Sequence, residues 1–347
     1  MDRKGTRIAV LGGGAWGTAI ALSLCARRDT AGEALNVPVT LWVHSKEEAD
    51  AIHAARENVL FLPGFKLPGH LHVTNEDAAV SDAEVLVSVI PSAFLRATTK
   101  RLARQFKSGQ VMVSATKGIE SNGALRMTEL IESAVNEVQP GLRLPVGALS
   151  GPSFALEVAE GLPTAVTVAF KDAAVAGEVQ RLFTSPALRL YSSTDVVGVE
   201  LGGALKNIIA IASGIVSGMG LGHNSTAGLI TRGIAEITRL AVACGAKRET
   251  LGGLSGVGDL VLTCTGSLSR NRTVGVELGK GRKLPEIIES LSGKVAEGVP
   301  TTKAALELAR KHNVEMPITE QMELILDEGK DPRAAMKELM QRPNKDE

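Results

Sequence analysis

Three glycines, Gly12, Gly14 and Gly17, directly follow the apolar run Arg7 to Leu11 and sit inside a charge-free stretch from Ile8 to Ala26. That stretch, behind Arg3, Lys4 and Arg7, superficially resembles an export signal or a membrane span. The glycines argue against both, because each weakens a helix by roughly 1 kcal/mol relative to alanine. A strand, a tight turn and a helix are predicted instead, with G-x-G-x-x-G at the turn. The first glycine permits the turn, the second lets backbone approach a pyrophosphate, and the third lets helix and strand pack closely. In this placement the motif points to a dinucleotide; the plain alternative is a tight turn with no ligand.

The same alternation of short apolar runs and amphipathic stretches continues. Strands are predicted at Arg7 to Leu11, Val39 to Val43, Glu84 to Val89, Gln110 to Ser114 and Pro145 to Leu149, with helices at Ala15 to Arg27, Ser92 to Gln105 and Leu125 to Val138. This predicts an α/β class with a doubly wound, Rossmann-like parallel sheet. Thr164 to Ala169 and Ala187 to Tyr191, around a helix at Asp172 to Phe183, are expected to extend it. After about Val196 strand signals stop. Helices are predicted at Val199 to Val216, Ala227 to Ala243, Arg272 to Leu278, Leu284 to Leu291, Thr301 to Lys311 and Ile318 to Leu326, and Asp331 with Pro332 opens a last one. The expected organisation is a dinucleotide-binding domain at 1–195, an all-helical substrate and catalytic domain at 196–341, and a polar tail at 342–347.

Composition narrows the partners. Lys plus Arg and Asp plus Glu are 38 each, so no global field draws polyanions and nucleic acid is not expected. Cys25, Cys244 and Cys264 make no C-x-x-C pair, which fits a reducing compartment. Ile208 to Thr231 is uncharged, yet its glycines and polar residues predict a buried helix and loop rather than a span. Cytoplasm is the expected location. The six histidines show no H-E-x-x-H arrangement, so no catalytic metal is expected.

Four segments carry candidate chemistry. After the second strand stand His44, Ser45 and Lys46, where NAD-selective folds usually place an acid for the ribose diol; a 2′-phosphate is the alternative ligand, and an ordinary solvated helix start the plain reading. Lys117, in Ser114-Ala115-Thr116-Lys117-Gly118, emerges at the carboxyl end of a strand, as does Ser150-Gly151-Pro152-Ser153-Phe154-Ala155, with Ser153 a candidate helix cap. Lys206 and Asn207 interrupt a helix suited to burial on every side, where a desolvated lysine suits proton transfer better than a snorkelling one. Ser269 reads as an N-cap with Gly279 beyond the helix end. Arg270 and Arg272 in that first turn oppose the helix dipole, which a bound anion would resolve; solvent-screened arginines are the alternative.

Together these residues resemble the bacterial NAD(P)-dependent glycerol-3-phosphate dehydrogenase family. The resemblance runs through Gly12-Gly13-Gly14-Ala15-Trp16-Gly17-Thr18-Ala19, Ala115-Thr116-Lys117-Gly118, Gly151-Pro152-Ser153-Phe154-Ala155, Leu205-Lys206-Asn207, Ile230-Thr231-Arg232-Gly233 and Ser269-Arg270-Asn271. It implies reversible reduction of dihydroxyacetone phosphate to sn-glycerol 3-phosphate with NADP(H) and/or NAD(H), serving phospholipid synthesis, and a homodimer. It implies that Lys206 is the catalytic proton carrier. Lys117, Gly151, Ser153, Asp259, Ser269, Arg270 and Asn271 match substrate-lining positions; Trp16, His44, Lys117, Ala155, Arg270, Val295 and Glu297 match positions near the cofactor. Gly13 occupies a variable place in the fingerprint, Gly228 stands where alanine is usual, and Asp29 to Pro38 looks longer than the usual connection.

Two other readings share some of these features. A hydroxy-acid dehydrogenase would not need the Ser269-Arg270-Asn271 phosphate site, and a redox sensor would not need Lys206 with Asp259. With no acid expected after the second strand and Lys46 available to a 2′-phosphate, NADPH is expected to be accepted at least as readily as NADH.

Overall fold

The computed structural model describes residues 5–27, 35, 37–121, 123–291 and 296–344. The chain divides into two compact units, residues 1–117 with 126–200, and residues 118–125 with 201–347. The longer connection expected at 29–38 lies mostly outside the described residues, as do positions 345–347 of the tail.

The first unit is built on strands β1 Ile8–Leu11, β2 Val39–Trp42, β3 Leu71–Thr74, β4 Val85–Ser88, β5 Val111–Ser114, β6 Val146–Ser150, β7 Thr164–Ala169 and β8 Leu188–Ser193. Their order across the sheet is β3-β2-β1-β4-β5-β6-β7-β8. Helices α1 Ala15–Cys25, α2 Lys46–Ala55, α3 Ser92–Ala103, α4 Met127–Val138, α5 Ala155–Ala159 and α6 Ala173–Phe183 connect them. Every residue of β1, β4, β5 and β6 is buried, which is why these strands read as continuous apolar runs. The order reverses direction at β1 and β4, the switch point at which open α/β sheets bind ligands.

Two features depart from expectation. Leu71–Thr74 pairs with β2 as an edge strand; its exposed His72 breaks the apolar run, so the sequence carries little strand signal there. The sheet is also not wholly parallel, because β6 and β7 pair antiparallel, Ala148 opposite Ala169 and Ser150 opposite Thr167. The only helix between them, α5, has five residues and rises ~7 Å. That is less than the ~16 Å length of a five-residue strand, so the chain returns from the end it left by.

The second unit is helical, as expected. Helix α7 Val196–Gly218 starts in the first unit and continues into the second, followed by α8 His223–Ala243, α9 Arg248–Leu251, a π-helical turn at Leu254–Gly258, α10 Asp259–Thr265, α11 Arg270–Gly279, α12 Leu284–Ser290, α13 Gly298–Lys311, α14 Pro317–Asp327 and α15 Pro332–Met340. Helix α7 is long and apolar enough to cross a membrane, but 94% of its most apolar stretch is buried inside the protein. It packs on α11 without side chains between them: a Cβ on Gly214 would fall 2.1 Å from the Arg272 carbonyl oxygen, and one on Gly275 1.9 Å from that of Ile211. Helix α14 has no cap of its own. Its first amides, on Ile318 and Thr319, donate to the buried Glu236 carboxylate of α8 at 2.9 Å each, and burial pushes that carboxyl above its ordinary range. Glu200 plays the same part for α4, accepting from the Thr128 amide at 2.8 Å and hydroxyl at 2.7 Å and pairing with Arg126.

Candidate active site

In the first unit the glycine turn leaves β1 and enters α1. Gly12 has φ +123°, a conformation open to few residues but glycine. A Cβ on Gly17 would lie 2.0 Å from the Gly12 carbonyl oxygen, so helix and turn touch through backbone. Nothing lies within 4 Å of the Cβ position of Gly14. The α1 N-terminus has neither a capping side chain nor an acid in its first turn, so its free amides and the open face at Gly14 suit a pyrophosphate. Trp16, packed on the core, has an indole N–H with no hydrogen-bond partner among the described residues. Asn58 fixes the loop by donating to the Gly13 carbonyl at 2.6 Å and to the Thr18 hydroxyl at 2.8 Å.

The end of β2 differs from the sequence expectation. His44 and Lys46 are exposed, and the His44 ring stands edge-on to Trp42 at 6.4 Å. Ser45 caps α2 by accepting from the Glu48 amide at 3.1 Å. That turn brings an acid to the place where none was expected: a Cβ on Gly13 would fall 2.5 Å from Glu48 Oε1 and 2.6 Å from a Val43 methyl. Gly13 is thus occupied space, and only a residue without a side chain leaves room for the carboxylate.

Lys117, Gly151 and Ser153 come together at the carboxyl ends of β5 and β6. Lys117 Nζ donates to the Gly151 carbonyl at 3.2 Å and Ser153 Oγ to the same oxygen at 2.9 Å. Ser153 is therefore not the helix cap; the residue in that position is Phe154, and Ala155 is the first residue of α5. Gly151 has φ +147°, and a Cβ there would press on Val166 at 2.9 Å. Phe94, in the first turn of α3 and not singled out by the sequence, is 61% exposed, an aromatic face left to solvent at the carboxyl end of β4.

In the second unit Lys206 is 5% exposed and Asp259 1%. Lys206 Nζ donates to the Asp259 carboxylate and, at 2.7 Å, to the Thr263 hydroxyl, which in turn donates to the Asp259 carbonyl at 2.7 Å. Thr263 is not among the residues the sequence singles out, although its place one helical turn after Asp259 is the signal that finds it. The π-helical turn before Asp259 packs directly on α7: a Cβ on Gly202 would fall 2.5 Å from the Ser255 carbonyl oxygen. Such turns interrupt helices at functional sites more often than elsewhere, and this one aims Asp259 at Lys206. A buried pair of this kind is costly to break, since removing one partner leaves the other charge uncompensated.

Ser269 caps α11 by accepting from the Arg272 amide at 3.2 Å, and that helix runs through Gly279. The two arginines part company. Arg272 turns inward, reaching the Ser217 hydroxyl at 3.4 Å, and is partly buried. Arg270 keeps an exposed face; the protein packed around it lowers its proton affinity while Glu297 opposes that effect, and it stays a cation at neutral pH. Asn271 is buried and tied down on both sides, donating to Asn207 Oδ1 at 3.0 Å and accepting from the Gly298 amide at 2.9 Å. Val295 lies outside the described residues. Among the described residues no group of three His, Cys, Asp or Glu side chains is placed to hold a metal.

Residues 7–176 match the NAD-dependent glycerol-3-phosphate dehydrogenase N-terminus and residues 195–337 the C-terminus of the same family. A protein of Acidobacterium capsulatum named glycerol-3-phosphate dehydrogenase (NAD(P)+) is 57% identical over 346 residues, covering 99% of this chain and 100% of the relative. One of the same name from Koribacter versatilis is 54% identical, with 98% of each chain covered. The crystal structure of glycerol-3-phosphate dehydrogenase from Coxiella burnetii superposes with a TM-score of 0.89 at 36% identity, covering 98% of this chain and 100% of that one. With both parts of the sequence matched and relatives spanned from end to end, the chain belongs to the NAD-dependent glycerol-3-phosphate dehydrogenase family.

Proposed function

We propose that this protein reversibly reduces dihydroxyacetone phosphate to sn-glycerol 3-phosphate, with NADH or NADPH as the reductant. The observation that carries this reading is the chain of contacts in the second unit. Lys206 is adjacent to Asn207, Asn207 is bonded to Asn271, and Asn271 follows Arg270 at the start of α11. A proton carrier and a phosphate site are thus one hydrogen bond apart.

The bound nicotinamide supplies hydride exchange between its C4 and C2 of the substrate. Lys206 gives the C2 oxygen its proton as the carbonyl becomes an alcohol, and takes it back in the oxidation direction. Asp259 balances the ammonium charge and, with Thr263, fixes its direction. Arg270 and the first amides of α11 hold the phosphate, with Ser269 and Asn271 setting that helix start. Lys117, Gly151 and Ser153 are also assigned to the substrate. Gly12, Gly14, Trp16, Gly17, His44, Lys117, Ala155, Arg270, Val295 and Glu297 are assigned to the cofactor.

We assign dinucleotide binding to residues 1–195 and substrate chemistry to 196–341. The product is a phosphorylated glycerol backbone, which suits a cytoplasmic supply for phospholipid synthesis, and a homodimer is the proposed assembly. Mixing the purified protein with dihydroxyacetone phosphate and either reduced cofactor, and following absorbance at the nicotinamide band, tests the reaction. Oxidation of the cofactor is expected with dihydroxyacetone phosphate and not with unphosphorylated 2-keto acids. The reverse result would replace this reading with a hydroxy-acid dehydrogenase.

A further inference from the structure

We infer that Glu48 sets the choice of cofactor, its carboxylate over Gly13 serving as the acceptor for the adenosine ribose 2′-hydroxyl and so favouring NADH over NADPH. The inference deepens the proposed dehydrogenase reading and rests on it for the identity of the ligand.

Four observations bear on it. In dinucleotide folds of this class an acid at the end of the second strand reads the ribose diol. Here β2 ends at Trp42 and the residues that follow, His44, Ser45 and Lys46, hold no acid. The cap at Ser45 starts α2 at once, so its third residue, Glu48, lies over the strand end and not away from it. The carboxylate reaches the first variable position of the fingerprint, with Oε1 2.5 Å from where a Gly13 Cβ would be. Gly13 and Glu48 are therefore a matched pair, the absent side chain of one admitting the carboxylate of the other. The Gly13 carbonyl is itself fixed by Asn58, so the loop cannot drift to relieve a misfit.

The cations that argued for a 2′-phosphate are placed less well. Lys46 and His44 are exposed, where a phosphate contact is screened and weak. Glu48 is half-buried. Burial raises its carboxyl above the ordinary value, with the His44 backbone N–H and the His44 charge opposing the rise. Repulsion between a fixed, half-buried carboxylate and a dianionic phosphate outweighs attraction from mobile surface cations.

The test uses ligands without a nicotinamide, so that binding is read apart from turnover. Calorimetric titration with ADP-ribose and with its 2′-phosphate should show the 2′-hydroxyl form bound more tightly by on the order of tenfold or more. Glu48→Gln should shrink that ratio by on the order of tenfold, and Gly13→Ala, whose methyl presses on both the carboxylate and a Val43 methyl while Glu48 stays in the sequence, should shrink it in the same direction. Glu47→Gln, an exposed neighbour in the same helical turn, should leave the ratio unchanged. A wild-type preference for the 2′-phosphate overturns the inference, as does a ratio unchanged in both Glu48→Gln and Gly13→Ala. Failure to reduce dihydroxyacetone phosphate would overturn the proposed reaction and leave these binding ratios standing.

Discussion

Alanine at Gly275 tests whether the close approach of α7 and α11 sets the geometry of the site. The new methyl would fall 1.9 Å from the Ile211 carbonyl oxygen and 2.9 Å from Gly214 Cα. Carbon and carbonyl oxygen settle no closer than roughly 3.3 Å, so the helices must part by roughly 1.4 Å, because the obstructing atoms are backbone on both sides. Overpacking of this kind costs about 1–3 kcal/mol, and alanine's better helix propensity returns up to about 1 kcal/mol. Backbone cannot rotate aside, so the upper end of that cost applies and the net destabilisation is about 2 kcal/mol. The catalytic effect is larger. Helix α11 starts with Arg270 and Asn271, and Asn271 holds Asn207 beside Lys206, so the shift moves the proposed phosphate site relative to the proposed proton carrier. A misplacement near 1 Å can cost on the order of 10²-fold, and kcat/KM for dihydroxyacetone phosphate should fall by about 10- to 10²-fold. Binding of ADP-ribose, which would read the proposed contacts at the first unit's glycine turn, should hold. Thermal melts and steady-state kinetics read both parts. Gly228→Ala is the control: Gly228 sits in α8 with nothing within 4 Å of its Cβ position, so alanine there should stabilise by up to about 1 kcal/mol without touching turnover. Wild-type melting and kcat/KM in Gly275→Ala would refute the reasoning.

Lys206→Ala should lower kcat by roughly 10²- to 10⁴-fold with little change in cofactor affinity, the usual loss for a general acid or base; near-normal turnover removes Lys206 from the chemistry. Arg270→Ala should raise KM for dihydroxyacetone phosphate far more than it weakens an unphosphorylated analogue, because the lost contact is to phosphate; equal losses would dismiss the clamp. Burial pushes the thiols of Cys25 and Cys264 up to about 12 from 9.0. The stability tied to their protonated form is therefore fully present below about pH 9 and is lost as pH rises toward 12. A maleimide at pH 8 should accordingly label Cys244 alone in the native protein, and all three cysteines after denaturation, as read by intact mass; native labelling of Cys264 would contradict its burial.

Much of this architecture was legible because apolar periodicity and glycine chemistry are local. The alternation to Tyr191, the helical second unit and the Gly12-Gly14-Gly17 turn all follow from such patterns. Lys206 stood out because a charge in an otherwise apolar helix needs a partner, yet the sequence could not say that Thr263 joins Asp259 in providing it. Long-range geometry was illegible. The reversal at β7 depends on how far a five-residue helix can carry the chain, and Leu71–Thr74 is a strand only because β2 offers an edge. Ser153 looked like a cap because serine commonly is one, but its hydroxyl is spent on the Gly151 carbonyl. Glu48 is not legible as a candidate diol acid because it stands within α2 in the sequence, and only the Ser45 turn brings its carboxylate back over Gly13.

The carboxylate that starts α14 comes from Glu236, 82 residues upstream of Ile318. Synthesis from the N-terminus therefore makes the cap long before the helix it serves, and until α14 docks on α8 its first turn has Pro317 to set the backbone angle but no acceptor for its first amides. Docking and helix initiation become one event for this segment. Exchange of the Ile318 and Thr319 amides with solvent deuterium should then report the opening of α14 from α8, not the fraying of a helix end. These two amides should exchange together, and Glu236→Gln, which turns an amide group toward one of the donors, should speed both.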